Sequence, residues 1–240
     1  MEYGIQLYSV RDVTPTAMED TLHRLAAMGY RTVEFAGYFD HTPTTLRRWL
    51  ADCGLKAVAT HTGWDALRDR FDEVVREHKE LNCPAVVIPG YAPGSPAELD
   101  AFVAFLNDRQ TKLEKEGLRL GYHNHSFEFE PNAWGCRIHE VLQEQTAVEL
   151  EIDTYWAWNA GVEPVALLKK LGDRVRLIHI KDGLAGGEGR PLGRGEAPVE
   201  AVWRYAREAG LHMIVESETL DPDGLTEARL CREHLAKLEG

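Results

Sequence analysis

Cysteine is scarce. The four residues, Cys53, Cys83, Cys136 and Cys231, are scattered along 240 positions, and none forms a Cys-x-x-Cys pair. That spacing argues against a zinc ribbon or a disulfide framework and favours a reducing compartment, the cytoplasm. Isolated cysteines of this kind read as small apolar fillers. No run of 18 apolar residues occurs, so no membrane-spanning helix is expected. The first five residues carry neither a basic segment nor a long apolar core, and do not read as a secretory signal. Positive charge is short as well: 27 Lys and Arg stand against 39 Asp and Glu, a formal net charge of −12. Such a surface repels polyphosphates unless a local basic patch overrides it. The basic doublets Arg47-Arg48 and Lys169-Lys170 read as solvated helix faces instead. The expectation is no nucleic-acid partner and no membrane.

What remains is ordinary globular composition, 44% hydrophobic and 28% charged. Short apolar runs alternate with amphipathic segments to the end of the chain. The strand-like runs are 3–8, 32–35, 56–60, 85–89, 118–123, 148–153, 175–180 and 213–216. Apolar spacing of helical period predicts helices over 15–28, 43–52, 65–81, 96–116, 139–144, 164–171, 199–209 and 225–238. Thr14 and Thr42 each precede a proline, the pattern of an N-cap followed by Pro at the first helical position. Gly29, Gly54, Gly117, Gly172 and Gly210 each fall where a helix must stop before the next strand. Eight strands and eight helices in strict alternation predict a parallel sheet closed into a single α/β domain over 1–240, a (β/α)₈ TIM barrel. An open doubly wound sheet is the alternative, but the first βα turn, Ser9-Val10-Arg11-Asp12, has no glycine-rich fingerprint. The glycine-rich loop 185–197 is expected to be mobile.

A barrel of this kind carries its active site at the C-terminal ends of the strands. Those ends are polar here: Tyr8, Glu34, His61, Tyr91, His123-Asn124-His125, Asp153, His179 and Glu216. His123, Asp153, His179 and Glu216 follow one another at about one βα unit each, so they converge from neighbouring strands. Two carboxylates with one or two imidazoles make a mixed N/O site that suits one divalent ion: Mn²⁺, Co²⁺, Mg²⁺ or Zn²⁺. Tyr8, Glu34, His61, Trp156, Lys181 and Arg190 are the candidate substrate contacts. Trp156 and Trp158 either stack on a sugar ring or pack the loop after the sixth strand. Arg190 and Arg194 either meet a polar substrate tail or are solvated loop charges. His23, His78, His139, His212 and His234 lie on helices or strand starts and read as structural.

Several segments carry a resemblance across nearly the whole chain. They are Gly4-Ile5-Gln6-Leu7-Tyr8-Ser9-Val10-Arg11-Asp12, Leu25-Ala26-Ala27-Met28-Gly29-Tyr30-Arg31-Thr32-Val33-Glu34, Tyr122-His123-Asn124-His125-Ser126-Phe127-Glu128-Phe129, Asp153-Thr154-Tyr155-Trp156, His179-Ile180-Lys181-Asp182, Leu192-Gly193-Arg194-Gly195 and Val215-Glu216-Ser217-Glu218. Together they resemble the sugar phosphate isomerase/epimerase superfamily, the xylose isomerase-like TIM barrels. The resemblance implies one metal held by Glu, Asp, His and Glu from successive strands. Asp153, His179 and Glu216 match the last three. At the first position this chain has His123 where many members have Glu, with Glu128 as an alternative ligand. In the family's epimerases two glutamates flank the reacting carbon and move the proton. Here Glu216 would be one proton-transfer group, and His125 or Glu128 the other.

The expectation is therefore a metal-dependent isomerase or epimerase acting on a sugar or sugar phosphate by proton transfer next to a carbonyl. The His-Asn-His strand end also resembles lyase- and dehydratase-like members acting on keto-sugars or keto-inositols, which keeps elimination open as an alternative. A non-catalytic sugar-binding barrel is the third reading. Small barrels often pair, so a homodimer is allowed, although no segment marks an interface.

Overall fold

The structure is a computed structural model describing all 240 residues. Eight parallel strands close into a barrel: β1 (Gly4–Gln6), β2 (Thr32–Phe35), β3 (Lys56–His61), β4 (Ala85–Ile88), β5 (Arg119–His123), β6 (Glu149–Asp153), β7 (Leu177–Ile180) and, after a short antiparallel hairpin of β8 (Asp182–Leu184) and β9 (Glu188–Arg190), β10 (His212–Val215). The order around the barrel is β1-β2-β3-β4-β5-β6-β7-β10, with β10 closing on β1. Helices α1 (Thr14–Met28), α2 (Pro43–Cys53), α3 (Trp64–Asp69), α4 (Phe71–Leu81), α5 (Pro96–Lys115), α6 (Ile138–Gln145), α7 (Thr154–Asn159), α8 (Pro164–Leu171), α9 (Val199–Ala209) and α10 (Gly224–Glu239) lie between the strands and after the last. No helix is long and apolar enough to cross a membrane.

Strand alternation sorts the side chains into two sets. One set, including Ile5, Val33, Val86, Leu120, Leu150, Ile152, Ile178, Ile180 and Val215, joins the large core between sheet and helices. The other faces the barrel axis, where Ala59, Ala85, Val87, Leu177 and Ile214 form a separate small apolar cluster. Small residues are required at this narrow level. A methyl on Gly4 would stand 2.6 Å from Thr32 Oγ1, and one on Gly121 would stand 3.0 Å from Val87 Cγ2. Continuing each strand by two residues carries the inward row from this apolar layer to polar groups: Ala59 to His61, Gly121 to His123, Leu177 to His179, and Ile214 to Glu216.

Thr42 caps α2 by accepting the Thr45 N–H at 3.2 Å. Thr14 does not cap. The helix begins at Thr14 itself, with Val13 at the cap position, and the Thr14 hydroxyl is buried without a partner. The single helix expected over 65–81 is two, because Arg70 leaves helical geometry at φ −134° and ψ 37°. The loop expected to be mobile is tied down. Its start pairs as the β8–β9 hairpin, and the Asp182 carboxylate accepts the backbone N–H groups of Gly183, Gly193, Gly195 and Ala197.

Candidate metal centre

Asp153 ends β6 and begins α7. Its Oδ1 accepts the Trp156 N–H at 2.9 Å, the capping bond of that helix. Asn124 holds the Asp153 backbone from β5, accepting its N–H at 3.1 Å and donating to its carbonyl at 3.2 Å. The capping bond fixes the side chain and leaves Oδ2 buried without a partner. His179 faces Asp153 in the β6–β7 register. Its Nδ1 lies 3.2 Å from Glu216 Oε2 and 3.9 Å from Asp153 Oδ2. His123 brings Nε2 to 3.7 Å from the same Oδ2. One donor atom from each of His123, Asp153, His179 and Glu216 lies within 4.8 Å of the others, and all four residues are buried.

The charges here are strongly coupled. Lys181 is 1% exposed, and its ammonium lies 2.6 Å from Glu218, 3.1 Å from Glu216 and 3.7 Å from Asp153. Burial opposes its charge, yet the three carboxylates raise its pKa above the usual lysine range. Burial also works against the Glu216 carboxylate, but Lys181 and His179 outweigh it and hold the pKa well below the usual value. Asp153 moves the other way, raised by burial and by the Glu216 charge. Burial, then the neighbouring His179 and His61, keep His123 well below the ordinary histidine value.

The donor set fits a divalent cation. His123 Nε2 and Asp153 Oδ2 are both buried, both without hydrogen-bond partners, and face each other at 3.7 Å. Buried polar atoms left in this state cost about 1–3 kcal/mol each. Neutral imidazole and ionised carboxylate are the forms that bind metal, and two nitrogens with two carboxylates suit Mn²⁺, Co²⁺ or Zn²⁺. Next to this centre lies a cavity of about 340 Å³ lined in part by Tyr8, His61, His123, His125, Glu216 and Glu218, a size suited to a small molecule.

The other expected site residues distribute around it. Tyr8 stands at the rim, 43% exposed, with the Arg11 guanidinium 4.1 Å above its ring. His125 lies just past β5, its ring 4.9 Å from that of His123, and burial lowers its pKa. Glu128 is not among the converging donors. Its carboxylate accepts from the His125 N–H at 2.7 Å and the Tyr122 hydroxyl at 3.0 Å, and burial pushes its pKa up to about 8. Trp156 packs its ring 4.8 Å from the Lys181 ammonium. Four expected substrate contacts, Glu34, Trp156, Lys181 and Arg190, are absent from the cavity lining. Glu34 is fully buried and bonded to His179 Nε2 at 2.7 Å, and Ala36, two residues further along the chain, lines the cavity in its place. Arg190 is on the β9 hairpin strand, paired with Glu188 at 2.5 Å and absent from the cavity lining.

Two residues escaped the sequence reading. Glu151 pairs with His61 Nε2 at 3.0 Å beneath the centre, and Glu218 lines the cavity and holds Lys181. Both were findable from strand period: Glu151 precedes Asp153 by two, and Glu218 follows Glu216 by two.

Among solved structures, the chain superimposes on a sugar phosphate isomerase/epimerase from Parabacteroides distasonis with a TM-score of 0.86, 22% identity and 98% of each chain covered. A probable 3-DHS dehydratase from Bacillus anthracis matches with a TM-score of 0.77, 12% identity, and 98% of this chain and 99% of that one covered. At such identities these likenesses establish the fold. Among curated proteins, the inosose dehydratase of Geobacillus kaustophilus is 23% identical over 189 residues, which span 68% of this chain and 61% of that relative's own length. The family model for xylose isomerase-like TIM barrels matches residues 22–239, and with the closed eight-stranded barrel it shows that the chain belongs to that family.

Proposed function

We propose that the barrel mouth is the active site of a divalent-cation-dependent enzyme that transfers a proton next to the carbonyl of a sugar or keto-polyol. One observation carries this reading: the unpartnered His123 Nε2 and Asp153 Oδ2, buried against His179 and Glu216 beside a cavity of small-molecule size. His123, Asp153, His179 and Glu216 would hold the cation. Once bound, it supplies Lewis-acid polarisation of the substrate carbonyl.

The chain's own groups supply the rest. Glu216 is held ionised by Lys181 and His179 and lines the cavity, where it would take the proton from the substrate carbon. His125 lines the same cavity, and its burial-lowered pKa makes it a neutral imidazole able to accept a proton near pH 7. Lys181, buried and outside the cavity lining, sets the charge beside Glu216 together with Glu218. Tyr8 closes the rim. The substrate class that suits the cavity is an unphosphorylated one. Lys181 is engaged by three carboxylates and Arg190 by Glu188, so no free buried cation lies ready for a phosphate.

Return of the proton to carbon gives isomerisation or epimerisation. Elimination is the second reading, and the engaged state of Glu128 favours it. Glu128 is held by the Tyr122 hydroxyl and the His125 N–H, while the His125 imidazole lines the same cavity as Glu216. Similarity to an inosose dehydratase points the same way; a neutral His125 would first take the substrate proton and then, as imidazolium, return it to the departing oxygen. Proton NMR of a panel of keto-sugars and keto-inositols in D₂O with Mn²⁺ tests both. Deuterium entering next to the carbonyl is expected, with an isomer or a dehydrated product separating the readings. A chain that binds cation and exchanges no proton on any member of the panel would overturn the proposal.

A further inference from the structure

Beneath the candidate ligands lies a buried polar layer that the proposed chemistry leaves unused: Glu34 on β2, His61 at the end of β3 and Glu151 on β6. Glu34 and Glu151 are 0% and 2% exposed, a costly depth for two carboxylates. Glu34 makes one hydrogen bond, to His179 Nε2 at 2.7 Å. Its other oxygen has no hydrogen-bond partner, and His61 Nε2 stands 3.5 Å away. Glu151 bonds His61 at 3.0 Å, and the His61 ring stacks on that of His179 with centroids 5.4 Å apart and planes 20° apart.

We infer that Glu34 is a positioning residue that fixes the tautomer of His179, keeping the proton on Nε2 so that the Nδ1 lone pair points toward Asp153 and Glu216. The inference rests on the cation reading above. A bound cation leaves the ring one N–H, and the two carboxylates hydrogen-bonded to it, Glu34 and Glu216, compete to keep it. Glu216 accepts at 3.2 Å and also has the Lys181 ammonium at 3.1 Å. Glu34 accepts at 2.7 Å and has no other donor in hydrogen-bond contact, so loss of the Nε2 proton would leave it only the His61 ring nitrogen at 3.5 Å. The proton therefore belongs on the Glu34 side. Nδ1, free of it, faces the carboxylates with which it would share a cation. The Glu151–His61 pair acts on the same ring from its face, and its stacking limits tilt away from the centre. A carboxylate behind a ligating imidazole raises its basicity and fixes its orientation, and removing such a partner lowers metal affinity by roughly 10–100-fold.

The test compares wild type with Glu34→Gln. Zn²⁺ affinity and stoichiometry are read by chelator competition, folding of the cation-free proteins by circular dichroism and thermal unfolding, and the ring nitrogens of His179 by ¹⁵N NMR of the Zn²⁺-loaded wild type. The expected result is one cation per wild-type chain, an affinity lowered about 10–100-fold in a folded Glu34→Gln, and a His179 protonated at Nε2 and not at Nδ1. Equal affinity in wild type and Glu34→Gln overturns the inference, as does a proton on Nδ1. Two cations per wild-type chain also overturn it, since Glu34, His61 and Glu151 would then be ligands themselves. Should Glu34→Gln fail to fold, the wild-type NMR decides alone. A wild type that binds no divalent cation overturns the cation reading, and is told apart from failure of this inference by that absence.

Discussion

Replacing Lys181 with methionine removes the buried ammonium at little change in volume. In the cation-free protein that leaves Asp153 and Glu216, 0% and 4% exposed, without their nearest positive charge. Breaking a buried ion pair in this way costs about 3–5 kcal/mol. Glu218 is not counted, since its side chain is 26% exposed and water can replace Lys181 there. His179 still stands 3.2 Å from Glu216 and offsets part of the loss, so the lower end, about 3 kcal/mol, is expected. For a domain of this length each kcal/mol moves Tm by about 2–4 °C, so cation-free Lys181→Met should melt roughly 6–12 °C below wild type. A divalent cation would draw on the same two carboxylates. It should bind the variant more tightly, because the ammonium no longer shares them. Both proteins gain from the cation, so the deficit narrows only by their difference in affinity, about 1.4 kcal/mol for a variant that binds tenfold more tightly. The assay is thermal and urea unfolding of both proteins in EDTA and in Mn²⁺. A deficit of the same size in both conditions would refute the shared-carboxylate reasoning, and so would the absence of a deficit in EDTA.

Glu128 gives a pH-dependent prediction. Burial raises its folded pKa to about 8, above the ordinary carboxyl value, so its contribution to stability is greatest below about pH 4.5 and is lost as pH rises toward 8. Glu128→Gln mimics the protonated form, and its stability relative to wild type should rise by a few kcal/mol between pH 5 and 9 in urea titrations; a pH-independent difference would contradict the assignment. The two threonines that precede prolines should respond oppositely. Thr42→Ala, losing a true cap, should lower stability by about 1 kcal/mol, whereas Thr14→Val, replacing a buried hydroxyl without a partner, should be neutral or stabilising in the same urea assay.

The barrel was legible because its information is local. Each βα unit has its own apolar period, helix stop and strand. Gly29, Gly54 and Gly210 indeed close their helices with left-handed backbone at φ 103°, 74° and 70°. The break at Arg70 carries neither Pro nor Gly, so no local signal marked it. Residues 185–197 looked mobile because their order comes from one carboxylate, Asp182, reaching forward to backbone N–H groups as far as Ala197, which composition does not reveal.

At the centre, what the sequence could not disclose was depth. Period two tells which side chains face the axis but not how far along it they stand. Glu34 and His61 both end strands and both face inward. The β2–β3 register slips between Val33 and Glu34, and the two residues meet different neighbours: Glu34 is buried and absent from the cavity lining, while His61 reaches its wall. The same limit hid Glu151, which lies one inward step below Asp153. That single step of about 6–7 Å along a strand separates an expected cation ligand from a group that braces the floor. In such a barrel, chemistry follows axial level as much as residue type. Asp153 and Glu216 stand at the mouth, whereas Glu34 and Glu151 hydrogen-bond the imidazoles of His179 and His61. Axial level depends on shear around the closed sheet, a property of all eight strands at once, and so it emerges only when the barrel is closed.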